Sequence, residues 1–223
     1  MGSVPYMTEL AEHADDVPDF EAFRDIPTTT LADLLGVEQV MDIGIRPLWG
    51  PVPRVAGPAF TVSCPPGDNL MLHAAVHRAA PGSVIVVESG DLRYALAGGN
   101  VCAVAQRHGI AGFVADGVIR DLAEVRDLGF PVFARGVVPI PGVKDIATPF
   151  GLPVRCGGVR IEAGDVVVAD EEGVVTVPAD RAPAVLTAAR AKLAEEAAET
   201  LDDWERAHRT RIEEILKARG FEG

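Results

Sequence analysis

Between residues 59 and 136, short continuous apolar runs alternate with stretches whose apolar residues recur at three- and four-residue steps. "AFTVSC", "SVIVVES", "IAGFVAD" and "PVFARG" are the runs, bounded by glycine or proline, and they predict buried strands, with the third ending at Gly117. "GDNLMLHAAVHRAAPG", "GGNVCAVAQRHG" and "DLAEVRDLG" lie between them, each opened by glycine or aspartate and closed by glycine, as short helices are. Strands that alternate with helices need crossover connections, so an α/β fold with a partly parallel sheet is expected. Upstream, "TTTLADLLG" (28–36) reads as a short helix, while Pro5, Pro18 and Pro27 break the first 27 residues.

After Pro141 the period changes to strand, turn, strand, turn, strand in "PVRCGGVRIEAGDVVVADEEGVVTVP". Gly164-Asp165 and Glu172-Gly173 supply the turns, which predicts an antiparallel meander. From Asp180 to Lys217 runs one helical pattern with an apolar stripe of Val185, Ala189, Leu193, Ala197, Leu201, Trp204, Ile212 and Leu216. At ~1.5 Å per residue that helix would be roughly 55 Å long, more than a domain of this size is wide. It must bend back or reach a neighbouring subunit, and the neighbour is the expectation. The reading is thus one domain over 1–223, with a 28–180 core and a 181–218 helix against a second copy.

Composition narrows the functional classes. The 223 residues are 48% hydrophobic, enough for one sizeable core, and no run is long enough to cross a bilayer. The chain also lacks a basic segment leading into an apolar one at its start, so a soluble, cytoplasmic protein is expected. Thirty-three acids against twenty Lys and Arg give a formal net charge of −13, which repels phosphate backbones and disfavours nucleic acid. Cys64, Cys102 and Cys156 are widely spaced and odd in number, which suits neither a disulfide framework nor a zinc cage.

Two short stretches carry candidate chemistry. In "ADGVIRDLAEVR", Arg120 and Asp121 stand where a strand gives way to a helix. Asp121 could simply cap that helix and Arg120 lie on the surface. In "AGGNVCAVA", Gly98 and Gly99 precede a helix and leave backbone N–H groups bare, a tight turn or an anion site. Together they gain meaning, because both follow strands at their carboxyl ends, the edge where open α/β sheets bind ligands. One offers N–H donors to a carboxylate; the other offers a guanidinium fork and an acid that can hold a divalent ion. A small 2-oxo acid would suit both. His73 and His77, four apart on one helix, have metal-binding spacing but no third ligand nearby in sequence, so a solvent or subunit boundary is the plainer reading. No dinucleotide fingerprint, Walker-type loop or nucleophile elbow is present.

"GDNLMLHAA", "GGNVCAVAQRHGIAGFVADGVIRD", "LGFPVFARG" and "GDVVVADEEGVVTVP" resemble the RraA-like family over roughly residues 28–200. That family includes 4-hydroxy-4-methyl-2-oxoglutarate aldolases, which are class II pyruvate aldolases, and regulators of ribonuclease activity. The resemblance implies a swivelling β/β/α sandwich and a homotrimer or homohexamer with sites between subunits. It implies that Arg120 contacts the pyruvate carbonyl or enolate oxygen and that Asp121 holds Mg²⁺ or Mn²⁺. The amides of Gly98, Gly99, Asn100 and Val101 would take the pyruvate carboxylate, and Glu195 or Glu196, the latter preferred, would reach a neighbour's metal. Family aldolases carry an acid in the glycine loop about 20 residues before the arginine, where this chain has Gly99-Asn100. The implied activity is lyase cleavage of 4-hydroxy-2-oxo acids with oxaloacetate decarboxylation; the alternative is a regulator that binds a partner protein. A Schiff-base route would need a desolvated lysine. Lys144 alone precedes the C-terminal helix, in a Pro-Gly loop, so the metal route is expected.

Overall fold

A computed structural model describes residues 18–221. After α1 (Phe20–Phe23) and α2 (Thr28–Leu35) the chain enters the short β1 (Arg46–Pro47) and then β2 (Val55–Ser63). There follow α3 (Leu70–Ala75), β3 (Val84–Glu88), α4 (Gly99–Arg107), β4 (Gly112–Ile119), α5 (Leu122–Leu128) and β5 (Val132–Val137). These strands form a seven-stranded sheet in the order β1-β5-β4-β3-β2-β8-β9, where β8 is Val166–Asp170 and β9 is Gly173–Val177. The β2, β3, β4 and β5 ladders are parallel, and β1, β8 and β9 add antiparallel edges. The sheet curls until β1 and β9 come within reach of each other. Helices α3 to α5 cover one face through a cluster that includes Leu72, Cys102 and Phe113. The hairpin β6 (Val154–Cys156) and β7 (Val159–Ile161) covers the other. Central β3 is buried at every position from Val84 to Val87 because both faces are covered, as a parallel strand requires.

The α/β class, the partly parallel sheet and the helical C-terminus are as expected; four details differ. The third predicted strand does not end at Gly117 but runs on to Ile119, past a register shift between Ala115 and Val118. Gly117 serves close approach instead: a Cβ there would press on Leu96 Cδ1. "AFTVSC" extends back to Val55, and Pro58 is tolerated because β2 changes partners there, pairing β8 up to Pro58 and β3 from Ala59. The meander is two pairs, since Gly157-Gly158, both at positive φ, close β6–β7 as a separate sheet. The helix of "NLMLHAAVHRAA" ends at Ala75 and tightens into turns up to Ala79.

The long C-terminal helix is also corrected. It divides at Glu199, which is extended (φ −84°, ψ 133°), into α6 (Ala182–Ala198) and α7 (Leu201–Ala218). Thr200 caps α7, accepting from the Asp203 N–H at 3.2 Å. The Thr-x-x-Asp spacing was a helix start inside an otherwise continuous apolar period. Val185, Leu186 and Ala189 of α6 pack on β8, β9 and α1, but no residue of α7 is buried. No described helix is long and apolar enough to cross a membrane.

Candidate active site

An open cleft of about 80 Å³ lies at the carboxyl ends of β3 and β4. Its floor is the segment Ala95–Ala97, tied to both sides. The Arg120 N–H donates to Ala97 O at 2.9 Å and the Leu96 N–H to Val118 O at 2.8 Å. On the other flank the Ala95 N–H donates to Ile140 O and the Gly142 N–H to Ala95 O. This seam brings the glycine turn, the Arg-Asp pair and the 139–146 loop to one place. Of the residues singled out in the sequence, Gly98, Asn100, Val101, Arg120 and Asp121 line the cleft and Gly99 does not; Asn69, His73 and Lys144, which the sequence analysis does not assign to a site, line it as well.

Asp121 does not cap α5. It is the one non-glycine residue at positive φ among those described (φ 58°, ψ 39°), and its side chain makes no capping bond. The left-handed turn swings its carboxylate back over the glycine turn. There Oδ2 accepts from the Gly99 N–H at 3.2 Å and pairs with Arg120 Nε at 3.4 Å. Such strain, of order 1–3 kcal/mol, persists where surrounding structure enforces it, and it gathers at functional sites. Gly98 is in an extended conformation open to any residue (φ −147°), so its lack of a side chain serves space rather than backbone freedom. A Cβ there would overlap Asp121 Oδ2 and crowd Arg120 Nε at 3.1 Å. The N–H groups of Asn100 and Val101 have no partner among the described residues, leaving two donors at the start of α4.

A Cβ on Gly99 would run into the Glu124 carboxylate, so Glu124, one turn into α5, occupies the space a side chain at 99 would take. Asp121 Oδ1 has no protein partner among the described residues, and its side chain is 38% exposed to the cleft. Hard oxygens of this kind fit a Mg²⁺ or Mn²⁺ ion that keeps most of its water. Among the described residues, no three His, Cys, Asp or Glu side chains gather as a complete metal cage. Glu196 pairs with Lys192 at 3.1 Å, which also holds Asp33 on α2, and neither Glu195 nor Glu196 lines the cleft of its own chain.

The far wall is built with equal care. Asp68 is buried, and its carboxylate accepts the N–H groups of Leu70 (2.8 Å), Asp145 (2.6 Å) and Ile146 (3.0 Å). Burial pushes its pKa up, but these bonds and the nearby Lys144 charge prevail and hold it below the usual carboxylate value. Asn69 Nδ2 donates to Ala95 O, which leaves its buried Oδ1 without a partner among the described residues. His73 is held below the ordinary histidine value by burial first and then by the Lys144 charge, so it is neutral at neutral pH. His77 meets the His108 ring edge-on at 5.3 Å, and among the described residues no third His, Cys, Asp or Glu joins the histidine pair as a metal site. Cys102, beneath Asp121, is pushed up to about 12 by burial and is an inert thiol. The Asp68-Asn69 pair before an apolar helix was the only sequence signal for this wall. The loop it holds lies some 75 residues away.

The RraA-like family model (Aldolase/RraA) matches residues 28–176. A protein of Halalkalibacterium halodurans named "Putative 4-hydroxy-4-methyl-2-oxoglutarate aldolase" is 41% identical over 79% of this chain and 84% of its own. The crystal structure of an uncharacterized protein from Pseudomonas syringae superposes with a TM-score of 0.72 at 29% identity, covering 84% of this chain and 92% of that one. The structure titled as the RNA-processing inhibitor RraA from Thermus thermophilis matches with a TM-score of 0.63 at 29% identity, over 69% and 93% of the two chains.

Proposed function

The chain belongs to the RraA-like family, and from that premise we propose that its cleft cleaves 4-hydroxy-2-oxo acids of the 4-hydroxy-4-methyl-2-oxoglutarate type, releasing pyruvate, and decarboxylates oxaloacetate. The observation that carries this reading is Asp121, strained into a left-handed turn that sets its carboxylate beside Arg120 and over the glycine turn. A surface that only docks a protein has no use for that strain.

The two unpartnered N–H groups of Asn100 and Val101 receive the substrate's 1-carboxylate, aided by the α4 dipole. The Arg120 guanidinium faces the 2-oxo oxygen, where negative charge grows as the C3–C4 bond breaks. In the aldol substrate the electrons of that bond enter the pyruvate enolate, the 4-hydroxyl proton leaves, and a proton returns to C3. In oxaloacetate the same bond releases CO₂. Asp121, with Glu124 beside it, would hold a hydrated Mg²⁺ or Mn²⁺. When bound, such an ion supplies a second positive charge at the oxygen Arg120 faces. Lys144 lines the cleft but is exposed on its loop, whereas an amine that forms a Schiff base must be desolvated.

The reading extends to a homotrimer or homohexamer, in which the uncovered α7 lies against a neighbour and Glu196 approaches that neighbour's Asp121. The likeness to the Thermus RraA supports a second reading, a regulator that binds a partner protein. Pyruvate release from 4-hydroxy-2-oxo acids and oxaloacetate separates the two. Activity should vanish in EDTA and return with Mg²⁺ or Mn²⁺. Full activity in chelator, with borohydride trapping at Lys144, overturns the metal route, and no release under any condition favours the regulator.

A further inference from the structure

We propose that Lys144 is the specificity residue of the cleft, receiving the second carboxylate of a dicarboxylic 2-oxo acid at the wall opposite Arg120 and Asp121. This rests on the reading of the cleft as a 2-oxo acid site. Three observations support it.

Lys144 is the only lysine that lines the cleft, and it makes no ion pair among the described residues, in a chain whose net charge is −13. The nearby Asp68 accepts its hydrogen bonds from three backbone N–H groups and forms no ion pair with the lysine, so it anchors the loop and leaves the ammonium free to take a hydrogen-bonded partner.

The loop is fixed before any ligand arrives. Besides the Asp68 clasp, the Val143 N–H donates to Gly67 O and the Asn69 N–H to Val143 O, both at 2.8 Å, while the Gly142 N–H is tied to Ala95. A cation on so constrained a backbone loses little freedom when it meets its partner, the condition under which a charge contact discriminates.

Charge bookkeeping within the cleft then selects the ligand. Arg120 is compensated by Asp121, His73 is neutral, and the 1-carboxylate is met by backbone donors at the opposite end. Lys144 is left without an ion pair among the described residues, so a second carboxylate finds a free ammonium there and an alkyl end gains nothing from it.

The test is binding, so it does not depend on turnover. Isothermal titration compares 2-oxoglutarate with 2-oxopentanoate, two chains of equal length that differ in a terminal carboxylate. Wild type should prefer 2-oxoglutarate by roughly tenfold, the size expected of one charge-assisted contact. Lys144→Met should bring that ratio close to one, and Lys144→Arg should restore most of it. If these ratios hold while no pyruvate is released from any 4-hydroxy-2-oxo acid, the specificity assignment stands and the lyase reading falls. The assignment is overturned if wild type does not discriminate, if it binds neither acid, or if Lys144→Met weakens both equally.

Discussion

Adding one methyl group to Gly98 tests the geometry of the site more sharply than deleting a side chain. Gly98 is at φ −147°, a conformation alanine adopts freely, so Gly98→Ala should fold as wild type does. The new Cβ overlaps Asp121 Oδ2 and stands 3.0 Å from Arg120 Cγ and 3.1 Å from its Nε. The carboxylate must retreat by roughly 1 Å to regain ordinary contact, and the guanidinium paired with it must follow. A misplacement of about 1 Å can cost about 100-fold in rate, and full loss of a donor at a developing oxyanion costs about 2.7–4 kcal/mol. The expected outcome is a fall in kcat/KM of about 10²-fold or more with a melting temperature within a few degrees of wild type. Coupled pyruvate assays and thermal unfolding on the same preparations provide both numbers. Activity within about threefold of wild type, or less than about 0.7 kcal/mol, would mean that Arg120 and Asp121 are not held for chemistry.

Arg120→Lys keeps the charge but not the planar fork, and should lose about 10²–10³-fold in kcat/KM with the fold intact, as steady-state kinetics and circular dichroism would record. Asp121→Gly should abolish turnover while unfolding in urea at no lower concentration than wild type, because glycine adopts the left-handed turn without strain. Truncation after Ala198 removes α7, which buries nothing in its own chain; light scattering should then report monomers whose core keeps its secondary structure. Asp68→Asn should cost about 1–2 kcal/mol at pH 7. Because Asp68 titrates lower in the folded chain than the roughly 3.9 of an unfolded one, that difference should hold above about pH 4. It should fade as pH falls through the depressed folded value, and a deficit of equal size at pH 2 would refute the clasp.

The elements whose environment is local were legible in the chain. Strands β3 to β5 and helices α4 and α5 sit close to where apolar runs and glycine punctuation put them, because a strand covered on both faces must be apolar throughout. Arg120, Asp121 and the Gly98–Val101 turn could be picked out because all follow strand ends in sequence. Lys144, Asn69 and His73 could not, since what makes them site residues is the seam at Ala95 and the Asp68 clasp, contacts between segments 26 to 78 residues apart. The break at Thr200 was missed for the opposite reason. The apolar period runs straight through it, and a single capping hydroxyl outweighs that period only because α7 has no core of its own chain to follow.

Gly117 and Asp121 show how one strand end serves both ladder and site. β4 could have stopped at Gly117, as its apolar run suggests; instead it shifts register and continues two residues. The missing side chain at Gly117 admits Leu96, which lets the 95–97 segment lie against β4 and receive the Arg120 N–H. Arg120 is therefore fixed at its backbone before its side chain is considered. Asp121, the next residue, must leave the strand abruptly, and the left-handed turn that accomplishes this returns its carboxylate over Gly98 and Gly99. An ordinary cap would have turned that carboxylate toward α5 and away from the cleft. Glycine would make the same turn at less cost but carries no carboxylate, so the strain at Asp121 is what placing an acid beside Arg120 requires.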